Sequence, residues 1–324
     1  MTKSPSQTAS ETVVSPRVQQ HIIDDERAGQ RLDNYLISQL KGVPKTLVYR
    51  IIRKGEVRIN KGRTKPDYRL KEGDTVRIPP VRVANKATPK AGKRLTESIE
   101  ASILYEDERI IVINKPSGLA VHGGSGINLG LIEALRDARP DQKYLELVHR
   151  LDRDTSGCLM IAKKRSALRD LHEQIRNDRV NKVYWALVEG RWANRKQQVN
   201  APLKKNTLQS GERVVRVDPE GKPSLTRFRV LEPLKGSTLI EATPVTGRTH
   251  QIRVHALHAG HSIIGDDKYT PREVNMAFRE QGIKRLFLHA AALEINLPGS
   301  GKRQRFNAPL PEELEQGLKA LRNE

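Results

Sequence analysis

Apolar residues recur at helical spacing in two adjoining segments, RLDNYLISQL and KTLVYRIIRKG. Their apolar positions are Leu32, Tyr35, Leu36 and Leu40 in the first segment and Leu47, Ile51 and Ile52 in the second. Residues 42–44 interrupt the two segments, and Gly55 ends the second. The alternating stretches EVRIN and TVRIP follow, each bounded by turn residues. The pattern predicts two short helices that lead into a small β-unit within residues 19–82.

The pattern changes after this unit. Residues 83–98, VANKATPKAGKRLTES, are polar, contain proline and show no apolar periodicity, so we predict a linker there. Residues 1–18 are also polar and are predicted to form a disordered tail. The remaining residues, 99–324, mix strand and helix patterns and are predicted to form a second, larger domain.

Strand patterns predominate in this larger domain. They are the hairpin ILYEDERIIVINKP with its turn at 106–108, the strands CLMIAKK and KVYWALVEG, and the ranges 225–232, 237–243 and 284–294. The helical patterns are LIEALRDARP, SALRDLHEQIRND with Ser166 as its cap, residues 248–259, and PEELEQGLKALRN with Pro311 at its first position. We predict an α+β fold in which a mostly antiparallel mixed sheet is flanked by helices.

Length and composition limit the class of protein. A chain of 324 residues has room for two domains, and 36% hydrophobic with 30% charged residues is typical of a soluble globular protein. Every apolar run falls well short of the roughly 18 residues that span a bilayer, and the N-terminus lacks the apolar core of a secretory signal. A single cysteine, Cys158, excludes an internal disulfide framework and cysteine-based zinc sites. We therefore expect a cytoplasmic protein that does not associate with membranes.

The charge of the chain is high and unevenly placed. Lys and Arg number 58 against 38 Asp and Glu, and the segment from Arg31 to Arg94 holds 18 of the basic and 5 of the acidic residues. Such a basic excess indicates a polyanionic partner. Binding to a membrane surface would need a basic amphipathic helix with an aromatic or leucine-rich face, which the sequence does not convincingly offer. Nucleic acid is therefore the favoured partner.

The stretch HRLDRDTSG, residues 149–157, places two carboxylates inside a basic run. A structural interpretation suits Asp154, since an aspartate can cap a turn through its side-chain oxygen and Gly157 can begin the next strand. It suits Asp152 poorly, because a turn has no need of a carboxylate preceded by His-Arg-Leu. Asp152 is therefore the candidate for chemistry.

Other stretches offer weaker signals. The glycines of NKPSGLAVHGGSG, residues 114–126, can simply permit turns, and the spacing of a phosphate-binding P-loop is missing. His255, His258 and His261 lie three residues apart, as in some metal sites, but Gly260 is placed to end the helix. The nearest acids, at 266–267, are predicted to lie in a loop, so packing or phosphate contact is the favoured interpretation of these histidines. We expect neither a metal nor a cofactor.

The basic N-terminal segment resembles the S4 domain, an RNA-binding module. The resemblance rests on RLDNYL, VPKTLVYRIIRKGEVRINKGR and DYRLKEGDTVRI. In that family the second helix and the following loop present basic side chains to structured RNA. The resemblance implies an RNA-contacting role for Lys45, Arg50, Arg53 and Lys54, with Arg58, Lys61 and Arg63 as neighbours.

Five ordered segments of the larger domain together resemble the RluA-type pseudouridine synthases. They are NKPSGLAVHGGSG, HRLDRDTSG, NKVYWALVEG, TGRTHQIRVH and LFLHAA. The resemblance implies a cofactor-free isomerase that flips uridines out of RNA and converts them to pseudouridine. It also implies that the partner is large-subunit (23S) ribosomal RNA or its assembly intermediate. We expect the protein to act as a monomer.

The same resemblance implies roles for individual residues. Asp152 would act as a nucleophile or promote a glycal intermediate, and Arg248, in the TGR stretch, would pair with its carboxylate. Tyr184 would stack on the target base and could remove the C5 proton, although a tyrosine on a strand can also be plain core. Further residues implied to contact the base or the RNA are Arg150, Leu288 and His122. Arg150 could fill the space that the flipped uridine leaves in the stack or hold the displaced strand, and Leu288 could equally be a core residue.

Two competing functions are compatible with parts of the sequence. A non-catalytic RNA-binding or ribosome-assembly protein would use the S4-like module and keep an inert second domain, but it would be free to lose Asp152. A metal-dependent nucleic-acid hydrolase would need more clustered carboxylates than the sequence provides.

Overall fold

A computed structural model describes residues 17–25, 27–40, 43–81, 91–123, 129–193, 198–207 and 213–323 of the chain. The chain divides into two compact units, Met1–Thr88 and Pro89–Glu324. Within the described ranges, no helix combines the length and the apolar character that crossing a bilayer requires.

The N-terminal unit packs two helices on a three-stranded antiparallel sheet. Its elements are β1 (Gln19–Ile22), α1 (Leu32–Gln39), α2 (Lys45–Arg53), β2 (Arg58–Ile59) and β3 (Thr75–Ile78), with strand order β1-β3-β2. Buried apolar residues of both helices and the sheet form one core, among them Leu32, Leu36, Val48, Ile52 and Val76. The two predicted helices are confirmed.

The strand predicted from EVRIN is shorter than expected. It contributes only the two residues of β2, because Asn60 and Lys61 both adopt left-handed backbone angles, with φ of 49° and 69°, and turn the chain. The first strand, β1, lies outside the predicted elements, since its four residues are too few to give a periodic signal.

The larger unit is built around a ten-stranded sheet. Its helices are α3 (Lys93–Ala101), α4 (Leu131–Ala138), α5 (Arg165–Arg176), α6 (Gln251–His258), α7 (Arg272–Glu280) and α8 (Glu312–Arg322). The strands of the sheet are β4 (Ile103–Glu106), β5 (Ile110–Lys115), β6 (Glu146–Leu147), β7 (Ser156–Ala162), β8 (Asn181–Glu189), β9 (Gln198–Asn200), β12 (Leu225–Leu234), β13 (Ser237–Pro244), β14 (Leu288–Asn296) and β15 (Arg303–Asn307). A separate antiparallel hairpin is formed by β10 (Leu203–Thr207) and β11 (Arg213–Val217).

The order of strands in the sheet brings distant motifs together. The main path runs β4-β5-β7-β14-β8-β13-β12-β9, with β15 paired to β14 and β6 paired to β7. The pairing of β7 with β14 is parallel, whereas the other ladders described in the sheet are antiparallel. Helix α5 packs on β7 and β14, and α6 packs on β12 and β13. The predicted α+β fold with a mostly antiparallel mixed sheet and flanking helices is confirmed.

Some predicted details are wrong. Helix α5 begins at Arg165 with Lys164 as its N-cap, so Ser166 lies in the first turn and does not cap the helix. Pro311 is the N-cap of α8 rather than its first helical residue. Strand β14 starts at Leu288, four residues later than the predicted range, and residues 284–287 precede the strand without regular secondary structure.

The predicted tail and linker are only partly described. Residues 1–16 and 83–90 lie outside the described residues. Residues 93–98 of the predicted linker are helical, as the start of α3, whose Ile99 is fully buried in the core of the larger unit. The polar sequence concealed this helix, since Ile99 is its only buried side chain.

Candidate active site

Asp152 lies in the loop that leads into β7, near the first turn of α6. Its side chain is 19% exposed, and its backbone carbonyl accepts a hydrogen bond from the Thr155 amide at 3.2 Å. The flanking Leu151 is buried in the main core. The loop is thus anchored on its apolar side, and the carboxylate emerges at the surface of the core, where a substrate could reach it.

Arg253 is the guanidinium that contacts this carboxylate. Its Nη1 donates to Asp152 Oδ2 at 3.3 Å, while Nε and Nη2 donate to the two oxygens of Asp266, both at 2.7 Å. Burial lowers the pKa of Arg253, but the hydrogen bonds and charge of Asp266 and the charge of Asp152 outweigh it and leave the pKa raised. The guanidinium is therefore charged and held in one orientation by a fully buried partner.

The sequence-based prediction that Arg248 pairs with Asp152 is wrong for this structure. Arg248 is exposed, and its Nε donates to the carbonyl of Pro223 at 3.3 Å. The reason is the start of α6 at Gln251, which leaves Arg248 in the preceding loop and turns Arg253 inward. The signal that favours Arg253 in the sequence is its apolar context in QIRVH, together with the acidic pair at 266–267.

Tyr184 lies near the carboxylate, on β8, where it is paired with Ala242 of β13. Only 9% of its surface is exposed. Burial and then the negative charge of Asp152 raise the pKa of the Tyr184 phenol above its usual range. The hydroxyl therefore keeps its proton at neutral pH, and the ring is available as an apolar surface.

Leu288 begins β14, beside Ala186 of β8. It is 3% exposed and belongs to the same buried cluster as Tyr184, Leu151 and Ile252. This buried position agrees with a role of Leu288 in core packing and also with a contact between Leu288 and the target base. The contact with a base stays a prediction.

Asp154 differs clearly from Asp152. It lies in the turn before β7, and its Oδ1 accepts a hydrogen bond from Arg153 Nε at 3.0 Å. Its backbone carbonyl accepts a bond from the Ser117 hydroxyl at 2.8 Å. The turn position is as expected, but the side-chain oxygens bind a guanidinium and do not cap a backbone amide.

Lys115 is a residue that the sequence analysis did not single out. Its side chain is fully buried, and its Nζ donates to three backbone carbonyls, those of Pro116 at 2.7 Å, Leu119 at 2.8 Å and Arg153 at 2.9 Å. Burial lowers the pKa of Lys115 to about 7, while the carboxylates of Asp154 and Asp152 act to raise it. Lys115 thus ties the turn after β5 to the loop that carries Asp152.

The histidine at the start of HRLDRDTSG has a structural role. His149 Nε2 accepts a hydrogen bond from the Met160 amide at 3.1 Å. Burial is the largest effect on this ring and lowers the pKa of His149 to about 3, so it is a neutral acceptor. The next residue, Arg150, is exposed, and within the part of the chain that the structure describes its side chain has no hydrogen bond or ion pair.

The glycine-rich stretch is partly described, since residues 124–128 lie outside the described ranges. His122 is exposed, and the neighbouring Gly123 amide donates to Glu133 at 3.0 Å. The backbone of His122 lies so close to Gly130 that a Cβ there would come within 2.5 Å of it. The contact of His122 with RNA stays a prediction.

Of the three histidines that suggested a metal site, His255 and His261 have packing roles, whereas His258 is exposed. His255 is bonded to the Thr226 hydroxyl at 2.8 Å and to the Ala201 carbonyl at 3.0 Å. His261 is bonded to the Glu189 carbonyl at 2.9 Å and packs against Trp192. No group of three or more His, Cys, Asp or Glu side chains suited to a metal ion occurs in the described ranges.

In the N-terminal unit, α2 and its C-cap residue carry the basic residues that the sequence analysis selected. Lys45, Arg50, Arg53 and Lys54 are all exposed. The opposite face of α2 buries Val48, Ile51 and Ile52 in the core. The helix therefore presents its charges outward, on a rigidly packed support.

The chain is similar to known pseudouridine synthases in both sequence and fold. The family model described as RNA pseudouridylate synthase matches residues 109–258, and that of the S4 domain matches residues 30–76. The chain is 56% identical over 310 residues to the ribosomal large subunit pseudouridine synthase C of Yersinia pestis, covering 95% of this chain and 97% of that protein. It is 56% identical over 313 residues to the protein of the same name from Escherichia coli K12, covering 95% and 98%. The solved structure of human RNA Pseudouridylate Synthase Domain Containing 4 matches with a TM-score of 0.59 at 27% identity, covering 71% of this chain and 96% of that one.

Proposed function

We propose that this chain, which belongs to the RNA pseudouridylate synthase family, isomerises uridines of large-subunit ribosomal RNA. Family membership rests on relatives that are more than half identical over nearly the whole chain. The proposed substrate comes from the names of those relatives and agrees with the basic charge of the N-terminal unit. The observation that carries the proposal is the Asp152 carboxylate beside the buried guanidinium of Arg253.

The reaction needs only an isomerisation of the nucleoside. The N1–C1′ bond breaks, the uracil ring turns, and C5 bonds to C1′; C5 then loses its proton and N1 gains one. An ionised carboxylate can serve as a nucleophile at C6 or C1′, or it can promote a glycal intermediate. We propose Asp152 for this role, since all three routes require the charged form.

Arg253 is proposed to orient Asp152. Its guanidinium contacts the carboxylate at Oδ2 and sets a fixed positive charge beside it. Because Asp266 fixes the other edge of the same guanidinium, Arg253 cannot rotate away. Tyr184 and Leu288 are proposed to contact the uracil ring. The phenol of Tyr184 is proposed to stay protonated until charge develops on the substrate during the reaction.

The target uridine must leave its stack to reach Asp152, which costs a few kcal/mol, as an order of magnitude. We propose that Arg150, exposed beside Asp152, fills the vacated position or holds the displaced strand, and that His122 contacts the RNA near it. Phosphate contacts from Lys45, Arg50, Arg53 and Lys54 would offset the cost and position the RNA.

We further propose that residues 19–82 form the RNA-binding domain and residues 99–324 the catalytic domain, with residues 83–98 linking them and residues 1–18 as a tail. Two observations support this assignment of roles to the domains. The chain divides into two compact units near residue 88, and each of the two family models matches a region in one unit. We also propose that the protein acts as a monomer in the cytoplasm, on 23S RNA or its assembly intermediate.

Mapping of pseudouridine tests the substrate. Ribosomal RNA is sequenced for pseudouridine from cells with and without this protein, and from cells that carry Asp152→Asn instead. We expect specific sites in large-subunit RNA to lose the modification in the last two cultures, with small-subunit RNA unchanged. An unchanged large-subunit pattern in both would contradict the proposed substrate.

Salt dependence of RNA binding tests the N-terminal surface. Each phosphate contact that is lost should reduce the slope of log affinity against log salt by about 0.7–0.9. The double variant Arg50→Gln with Arg53→Gln should therefore flatten the slope, whereas Lys319→Gln, on α8, serves as the control. Equal slopes for the wild type and the double variant would remove α2 from the RNA-binding surface.

A further inference from the structure

His250 stands immediately before α6 in an unusual backbone conformation. Its φ is 53°, in the left-handed region that residues other than glycine seldom adopt. The conformation directs the imidazole toward Asp152, so that Nε2 lies 3.9 Å from Asp152 Oδ2. The side chain is only 16% exposed. A strained backbone that aims a ring at the reacting group indicates a role in the site.

The tautomer of His250 follows from its other partner, Tyr269. The Tyr269 hydroxyl accepts a hydrogen bond from the Val215 amide at 2.9 Å and lies 2.7 Å from His250 Nδ1. Because the hydroxyl oxygen already accepts from the Val215 amide, we assign its own proton to the bond with Nδ1. With Nδ1 accepting, the proton of the neutral ring is on Nε2, the nitrogen that faces Asp152.

The charge of the ring agrees with this assignment. Burial lowers the pKa of His250 to about 4, against the opposing effect of Asp152. Arg253 and Lys268 act in the same direction as burial, and Asp266 acts against it. The imidazole is therefore neutral at pH 7 and offers an N–H rather than a second full positive charge.

Two donors thus converge on the same carboxylate oxygen. Oδ2 of Asp152 accepts from Arg253 Nη1 at 3.3 Å, and His250 Nε2 faces it from 3.9 Å. The second distance is too long for a hydrogen bond in the free protein, but such contacts commonly shorten when a substrate fills the site. Shortening of the His250 contact would give Oδ2 two donors and leave Oδ1 as the oxygen that neither of them contacts.

We propose that His250 is a positioning residue whose Nε2–H closes onto Asp152 Oδ2 in the RNA complex, and that Tyr269 acts through it by fixing its tautomer. The proposal rests on the proposed function and adds to it the assignment of Oδ1 as the reacting oxygen. Tyr269 also contacts Arg253, whose guanidinium lies 5.0 Å from the centroid of its ring. Phenylalanine would keep that ring contact and lose only the hydroxyl.

The test compares four variants by single-turnover pseudouridine formation and, separately, by RNA affinity. In His250→Asn the amide oxygen takes the place of Nδ1, and asparagine tolerates the left-handed backbone, so the bond to Tyr269 can persist while the donor to Asp152 is lost. In His250→Gln the longer amide places an N–H near the position of Nε2. The other two are Tyr269→Phe and the double variant His250→Gln with Tyr269→Phe.

We expect Tyr269→Phe to slow the chemical step by about 3–10-fold and His250→Asn by about 10-fold or more, with RNA affinity unchanged. His250→Gln should recover part of the rate that His250→Asn loses. Adding Tyr269→Phe to His250→Gln should cost little more, because no imidazole tautomer is left to fix. Tyr105→Phe is the matched control, since it removes a hydroxyl bonded to Asp107 on a strand of the same unit and should leave the rate unchanged.

Three results would overturn the proposal. These are wild-type rates in both His250→Asn and Tyr269→Phe, a glutamine variant no faster than the asparagine variant, and a full Tyr269→Phe effect in the His250→Gln background. Failure of the proposed function would look different, because the wild-type protein itself would then form no pseudouridine in large-subunit RNA.

Discussion

Arg253 binds two carboxylates at once, and its planar guanidinium makes this possible. One edge donates to both oxygens of Asp266, and the remaining Nη1 donates to Asp152. Asp266 is itself held by the backbone amides of Lys268 and Tyr269. A lysine at position 253 would keep the positive charge but could not reach both acids in a fixed geometry.

Exchanging each arginine for lysine separates the two candidates in TGRTHQIRVH. We expect Arg253→Lys to slow pseudouridine formation by about 10–100-fold, because a charge-assisted hydrogen bond contributes about 1.5–3 kcal/mol. Arg248→Lys is the matched control and should stay within about 3-fold of the wild type, since the Arg248 side chain is exposed and its Nε donates to the backbone carbonyl of Pro223. Rates are measured at saturating RNA, with thermal unfolding to verify the fold. A larger loss in Arg248→Lys would show that the guanidinium has been assigned wrongly.

At this scale the sequence selects as candidates those residues that a local motif makes distinctive, such as Asp152 and Tyr184, and their roles stay predictions. It fails where neighbours of the same type compete, as with Arg248 and Arg253, because only the start of α6 decides which one turns inward. It also misses Lys115, whose three carbonyl acceptors come together only after folding. The sequence misses His250 for the same reason, since its hydrogen-bond partner Tyr269 follows α6 in the chain and reaches His250 only after folding.

At the scale of elements, the parallel pair β7 and β14 fixes the place where the loop that carries Asp152 enters the sheet. Gly157, the second residue of β7, has a φ of 110° and lies so close to β14 that a Cβ would come within 2.3 Å of the Ala290 carbonyl oxygen. Ser156 precedes it and is bonded to His289 of β14 at 2.9 Å. The close approach of the strands therefore depends on the absence of a side chain at position 157.

An alanine at position 157 should cost much more than an alanine at another glycine with positive φ. Gly236, with a φ of 67° and open space around its Cβ position, is the control. We expect Gly236→Ala to lower the free energy of unfolding by about 1–2 kcal/mol. Gly157→Ala adds steric overlap and should lower it by about 3 kcal/mol or more, with loss of activity. Urea unfolding measures both, and equal costs would contradict the close approach.

Elements with a long periodic signal were predictable, and short or non-local ones were not. Strand β8 follows from its continuous apolar run, VYWALV, and helix α5 follows from its helical spacing. The two-residue β6 has no such signal, and the position of β14 between β7 and β8 depends on contacts between residues far apart in the chain. Helix α3 buries too few apolar residues to stand out from the predicted linker.

At the scale of the whole molecule, buried neutral histidines link stability to pH. Burial lowers the pKa of His250 and of His289, each to about 4, whereas an unfolded histidine has a pKa of about 6.5. Between these values the unfolded chain binds protons that the folded protein does not, so stability rises with pH through this window. Acidification from pH 7 to pH 5 should therefore cost about 2 kcal/mol for each such histidine.

Thermal or urea unfolding at pH 7 and pH 5 checks this expectation. His289→Gln should reduce the difference in unfolding free energy between the two pH values by about 2 kcal/mol, because its titration is removed. His258→Gln is the control, since His258 is exposed at the end of α6 and its loss should leave the difference as in the wild type. Stability that stays constant from pH 7 to pH 5 would contradict the buried neutral state of these rings.

The composition had already indicated a polyanionic partner, since the basic excess is concentrated between Arg31 and Arg94. The fold adds that the selected basic residues of α2 project outward from a packed core. Charge alone could not show this, because surface and core are distinguished only by the helical phase of Val48, Ile51 and Ile52.

The most direct test of the whole account is the single-turnover formation of pseudouridine in a large-subunit RNA transcript by Asp152→Asn and by Asp154→Asn. The side chains differ in their surroundings, since Asp152 faces the Arg253 guanidinium and Asp154 bonds to Arg153 in an exposed turn. We predict no detectable product with Asp152→Asn at unchanged RNA affinity, and near wild-type formation with Asp154→Asn. Substantial product from Asp152→Asn, or equal losses in the two variants, would contradict the assignment of Asp152.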